Sequence, residues 1–192
     1  MGKAQKNNLT KICLIAAGIM LAVIVGSVIS ACVLKGREEK FESFAPDVEI
    51  QNVLPDNITD EMLSECIIDE EKGSFSAAEF RAESHDLLGV QQNGDETLVY
   101  LQSLCEGFND PYNMSCGRSG PCVLTFVKND GEFKLTEYWT PRDGAGYKRS
   151  INEKFPEKLW EGAMDTQSTI EERTESNKNK AKYYFETKNS QS

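Results

Sequence analysis

The only histidine, His85, stands two residues after Glu83 and next to Asp86. Residues two apart share a face of an extended strand, so Glu83 can orient the imidazole as the carboxylate of a catalytic pair does. A strand on a solvated sheet face presents the same residues. A hydrolase or transferase using His85 with Glu83 also needs a nucleophile, and no local motif supplies one. Cys116-Gly117-Arg118-Ser119-Gly120 lacks the G-x-S-x-G elbow, and no residue is assigned a catalytic role. One histidine with widely spaced Cys105, Cys116 and Cys122 does not make the paired C-x2-C pattern of structural zinc, so neither metal nor other cofactor is expected.

Cys66, Cys105, Cys116 and Cys122 form an even set that an oxidising compartment would allow to pair. The most local pairing joins Cys116 to Cys122 around Gly117-Arg118-Ser119-Gly120-Pro121, where glycine and proline favour tight turns. Closing that small ring would contribute ~2.4 kcal/mol on a chain-entropy estimate. Cys66 reads instead as a small buried hydrophobe. Two glycine-bearing loops, residues 115–121 and 141–147, hold Arg118 and Arg142. Successive backbone N–H groups in such turns can form an anion nest, which makes these arginines the candidate contacts for an anion or a partner.

The elements that must position these residues follow from the hydrophobic period. Met62, Leu63, Cys66 and Ile67 recur at helical spacing behind Thr59, a good N-cap, and Asp60-Glu61, which suit a first helical turn. A helix is expected to run to Glu71 and stop at Gly73. The period then changes to two from Phe80 to a Gln92-Asn93-Gly94-Asp95 turn, followed by Thr97 to Phe108. A second hairpin joins Cys122–Lys128 to Phe133–Trp139 through Asn129-Asp130-Gly131. Beyond it lies a long helical stretch with Pro156 in its first turn and a stripe of Phe155, Leu159, Ala163, Gln167, Ile170, Ala181 and Phe185. That stripe turns polar around Thr174 and Asn177, where a break or a solvated turn is expected. The fold class is α+β: a helix, a four-stranded antiparallel meander, and a long C-terminal helical segment packed on one face.

The 192-residue chain begins with Lys3, Lys6 and Lys11, then an uncharged run from Ile12 to Leu34 (ICLIAAGIMLAVIVGSVISACVL). Basic residues ahead of an apolar core make a signal peptide or a membrane anchor. As a helix the run is ~35 Å long, enough to cross a bilayer. Its end, Ile29-Ser30-Ala31-Cys32, resembles the lipobox of bacterial lipoproteins, in which an aliphatic and two small residues precede the cysteine. The resemblance implies diacylglycerol on the Cys32 thiol, cleavage before it, and a body held at the outer face of the bacterial cytoplasmic membrane. A single-pass anchor gives the same sidedness by the positive-inside rule. The expected division is residues 1–31 as leader, 32–58 as tether, 59–187 as one α+β domain and 188–192 as a disordered tail.

With 31 acidic against 21 basic residues the formal charge is −10, and losing residues 1–31 removes three lysines and no acid. No basic block is left to replace counterions along phosphates, so a nucleic-acid partner is excluded. An acidic body is repelled by anionic headgroups and suits a standoff on a tether.

Glu137-Tyr138-Trp139-Thr140-Pro141-Arg142-Asp143-Gly144, Ile151, Lys154-Phe155-Pro156 and Ala163-Met164-Asp165-Thr166-Gln167 resemble uncharacterised exported domains of Firmicutes. Some of those domains are extracellular extensions of sensor-type membrane peptidases. The chain lacks the H-E-x-x-H motif of such peptidases, so no protease activity carries over. The resemblance implies a non-catalytic, membrane-tethered interaction or sensory accessory domain with a cell-envelope protein as partner. The alternatives are the small hydrolase or transferase above, and an immunity or inhibitor lipoprotein whose acidic surface steers it to a basic partner.

Overall fold

The computed structural model describes residues 49–190, which belong to one compact unit, Ser43–Ser192. The leader, the lipobox with Cys32 and the first part of the tether lie outside the described residues.

Five antiparallel strands form one meander in sequence order: β1 Ile50–Gln51, β2 Phe80–Asn93, β3 Glu96–Phe108, β4 Met114–Asn129 and β5 Glu132–Trp139. The sequence predicts four. The additional strand, β1, is two residues paired with Gln91 and Val90, too short to show a period. It brings the end of the expected tether into the fold, where Ile58 is buried and Leu54 packs on the same core.

Both hairpins turn where local chemistry places them. Asn93 pairs with Glu96 around Gly94, whose φ is 63°. Asn129 pairs with Glu132 around Asp130 and Gly131, both at positive φ, the combination a two-residue hairpin loop needs. The stretch expected as a glycine-rich loop, residues 115–121, is instead part of β4, in unbroken register with β3 from Cys116–Gly107 to Cys122–Leu101. Pro121 is tolerated because β5 pairing begins only at Val123, so its missing N–H faces an unpaired edge.

Helices cover both faces of the sheet, where the sequence predicts one. On one face α1, Asp60–Glu71, seats Leu63 and Ile67 against Val99, Leu101, Leu124 and Phe126. The Thr59 hydroxyl accepts from the Met62 amide at its start. On the other face α2, Tyr147–Lys154, and α3, Trp160–Met164, place Ile151, Phe155 and Ala163 against Tyr100 and Val123. Farther along that face α4, Ile170–Ser190, sets Ala181 and Phe185 on Ala82 and Phe108. The cause is visible in β3: Leu98, Val99, Tyr100 and Leu101 are apolar in succession, the pattern of a strand buried on both sides.

The long helical stretch is cut at different points from those expected. Phe155 and Pro156 are extended, and Asp165 accepts from the Gln167 and Ser168 amides between α3 and α4. Helix α4 passes through Thr174 and Asn177 without a break. Asn177 is fully buried: Ser84 donates to its Oδ1 at 2.6 Å, and its Nδ2 donates to the Leu104 carbonyl and to Glu106 Oε2 at 3.0 Å each. The polar stripe thus meets polar groups on the sheet. The helix also runs through residues 188–190, read as tail, and Lys188 Nζ lies 2.6 Å from Glu79 Oε1.

Candidate functional site

Glu83 and His85 share the face of β2 that α1 covers. Glu83 is 1% exposed, and three groups converge on its carboxylate. Ser64 of α1 donates to Oε2 at 2.7 Å, and Ser103 of β3 donates to Oε1 at 2.9 Å. His85 Nδ1 lies 3.0 Å from Oε2, while its Nε2 faces Asp60 Oδ1 at 3.6 Å, at the start of α1. Burial works against the charged imidazole, but the hydrogen bond and charge of Glu83, and then Asp60, raise its pKa above the usual histidine value.

This geometry decides what the pair can do. Both imidazole nitrogens face carboxylates, and both hydroxyls donate to Glu83 instead of lying against the ring. A general base needs a nitrogen directed at a reacting proton; here Nδ1 is held by Glu83, and Nε2 has the exposed Asp60 carboxylate 3.6 Å away, beyond hydrogen-bond distance. Asp86 takes no part, because it points to the opposite face, accepts from Thr169 Oγ1 and lies 3.2 Å from Arg173 Nε. The cluster ties α1, β2 and β3 together. Among the described residues no group of His, Cys, Asp and Glu could hold a metal.

Beside this cluster, along the outer edge of β2, runs a groove of about 790 Å³. Its floor includes Phe80, Ala82 and Glu83, one wall is α1 from Asp60 to Ile68, and the other is α4 from Lys180 to Lys188. Most of its surface is apolar. Phe80 stacks on Tyr184 with ring centroids 4.5 Å apart, and Tyr183 is 73% exposed. Lys180 Nζ donates to the Glu83 carbonyl, which marks that carbonyl as turned toward the groove. Asp60, Glu61 and Glu65 make the α1 wall acidic. A volume of this order, apolar with a few polar groups, is that of a binding cleft.

The remaining candidates fare differently. Arg118 Nη1 is held by the buried Glu71 carboxylate at 2.9 Å, and its Nη2 donates to Thr140 Oγ1 at 3.0 Å. Tyr138 also donates to Glu71, and burial raises its hydroxyl pKa. The recess these groups line measures only about 60 Å³, room for water and not for an organic ligand. Arg142 is exposed and does not line it. The expected anion nest at residues 115–121 is therefore a strand whose arginine is already neutralised. The expected Cys116–Cys122 bridge is absent, and both thiols are free. Six residues apart on one strand, they are ~20 Å from each other, three times the reach of a disulfide.

Sequence reasoning missed Ser64, Ser103, Glu71, Lys180, Tyr183 and Tyr184. The adjacent tyrosines in an otherwise charged helix were the one local signal for the groove; the others depend on long-range pairing. No family model, no curated protein and no solved structure matches this chain.

Proposed function

We propose that this chain is a membrane-tethered, extracytoplasmic interaction domain that acts by binding and not by catalysis. The observation that carries the reading is the apolar groove between α1 and α4, rimmed by Asp60, Glu61, Glu65 and Lys180 and holding the exposed Tyr183. A solvent-facing aromatic in a concave apolar surface is the kind of anchor that interfaces use. The amino-terminal lysines, the apolar run and the lipobox at Cys32 support attachment at the outer face of a bacterial cytoplasmic membrane. No helix of the described residues is long and apolar enough to cross a membrane. A cell-envelope protein is the partner this location favours. The reading with His85 and Glu83 as catalysts has less to support it, because Glu83 accepts from Ser64 and Ser103 and holds His85 Nδ1, and neither hydroxyl donates to the ring.

Two measurements on the protein in its native host test this. Intact mass after membrane extraction is expected to give a species starting at Cys32 with a diacylglycerol, and an unmodified species in the soluble fraction overturns the tether. A photo-cross-linking residue in place of Tyr183 is expected to yield a discrete adduct that the same residue in place of Asp130 does not. Equal labelling at both positions removes the groove as the interaction surface.

A further inference from the structure

The groove has a feature that an ordinary hydrophobic cleft lacks: its floor is a sheet edge. β1 pairs only with Val90 and Gln91, so from Phe80 to Leu88 β2 has no strand on its outer side among the described residues. Resting on the interaction reading above, we propose that this edge receives an extended peptide segment of a partner as an added strand, with apolar side chains toward α4 and a basic residue against the acidic wall of α1.

The backbone argues for a strand. The Glu83 carbonyl is turned to the groove, where Lys180 reaches it. In an antiparallel ladder the N–H and C=O of one residue point the same way and alternate along the chain. Arg81 and His85 therefore present their backbone groups to the same side as Glu83. An added strand satisfies such groups in series, which a helix or a lipid chain cannot do. The part of the edge that lines the groove, Phe80 to Glu83, is ~13 Å long and takes about four residues of a guest, whose ends run on beyond it.

The walls argue for a single thin chain. Helices α1 and α4 pack on opposite faces of the sheet and both line the groove. Helices with axes ~10 Å from the sheet on either side, each of ~5 Å radius, leave a slot ~10 Å wide. One strand with side chains pointing both ways fills such a slot. A second copy of this edge, carrying its own two helices, does not enter it.

Side-chain chemistry sets the polarity of the guest. Phe80, Ala82, Tyr183 and Tyr184 receive apolar residues on the α4 side; on the α1 side Asp60, Glu61 and Glu65 complement a cation, and the one cation of β2 there, Arg81, is held by the Phe75 carbonyl. Lys180 disfavours unspecific pairing by holding the Glu83 carbonyl, as lysines do on exposed edges.

The test uses the full chain in lipid nanodiscs and a capped peptide of alternating valine and threonine with lysine at each end. Two controls carry proline at the centre or glutamate at each end. The lysine-ended peptide is expected to bind saturably and to slow amide hydrogen exchange at Arg81, Glu83 and His85. Both controls are expected to bind at least ~10-fold more weakly, and Tyr183→Ala and Glu65→Lys to lower affinity ~5-fold or more without altering the circular dichroism spectrum. Absence of binding, binding that proline does not impair, or protection outside Phe80–Leu88 overturns the proposal. A cross-linked partner at position 183 together with any of those results keeps the interaction reading and removes strand addition alone.

Discussion

Glu83 is a carboxylate that meets two hydroxyls and one imidazole inside the protein, so its loss leaves several donors without an acceptor. Glu83→Gln is expected to cost about 2–4 kcal/mol, read as a lower urea midpoint at unchanged m. A cycle with His85→Gln should be strongly non-additive, because the two side chains share one network. The pH dependence has a definite sign. The folded-state pKa of His85 is raised, so its contribution is complete below the unfolded value of ~6.5 and is lost as pH climbs through the folded value. The stability gap between wild type and His85→Gln should therefore shrink from pH 6 toward alkaline pH, and a gap that widens contradicts the assignment. Thiol chemistry gives a third expectation at this scale. Burial pushes the Cys105 thiol up to about 12 and raises Cys122 as well, while Cys66 and Cys116 are partly exposed. Native iodoacetamide labelling followed by mass spectrometry should mark Cys66 and Cys116 first. After unfolding without reductant, Cys116 and Cys122 should both alkylate. The juxtaposition of His85 and Glu83 was legible in the sequence because a period of two fixes it. The partners were not, since Ser64 and Ser103 lie 19 and 20 residues from Glu83, and their register is set by the sheet.

Elements were readable wherever the signal is local and hidden wherever it is tertiary. Asn-Gly and Asn-Asp-Gly marked both hairpins because positive φ restricts residue choice. The glycines of residues 115–121 misled, since Gly117 and Gly120 lie within β4 at ordinary φ and turn nothing, and a Cβ on Gly120 would meet no atom within 4 Å; the close approach is on the partner strand. Opposite Cys116, a Cβ on Gly107 would meet the Cys116 sulfur at 2.7 Å and the Ala78 Cβ at 2.6 Å. Helix α4 misled in the opposite sense: its polar stripe looked like a helix end but is a set of buried hydrogen bonds to β2 and β3. Asn177→Leu is expected to destabilise by about 2–3 kcal/mol by orphaning the Leu104 carbonyl and the Glu106 carboxylate. Thermal denaturation measures it, and a variant as stable as wild type refutes the packing described.

For the whole molecule, the informative boundary is the one between the expected tether and the body. Residues 49–58 read as linker because they are polar, proline-bearing and aperiodic, yet they supply β1, Leu54 and the buried Ile58. A chain beginning at Glu49 should unfold like the full protein, whereas one beginning at Thr59 should lose about 2–4 kcal/mol with the Ile58 side chain and β1. Comparable denaturation curves for the two would return that segment to the tether. Order of elements and fold class were written in composition and period; the double-sided burial was not, because one strand's apolar run is compatible with either a buried helix or a central strand.

Strand β1 also determines how the body answers a pull. Tension arriving along the preceding chain enters the described fold at Glu49 and meets two residue pairs first, Ile50 with Gln91 and Gln51 with Val90. Those pairs can peel before any load reaches Leu54, Ile58 and α1, freeing a segment from Ile50 to Leu54 that spans at most ~14 Å. A domain so entered has a built-in mechanical fuse, in which a weak event at the amino-terminal edge of the fold precedes any disturbance of the core.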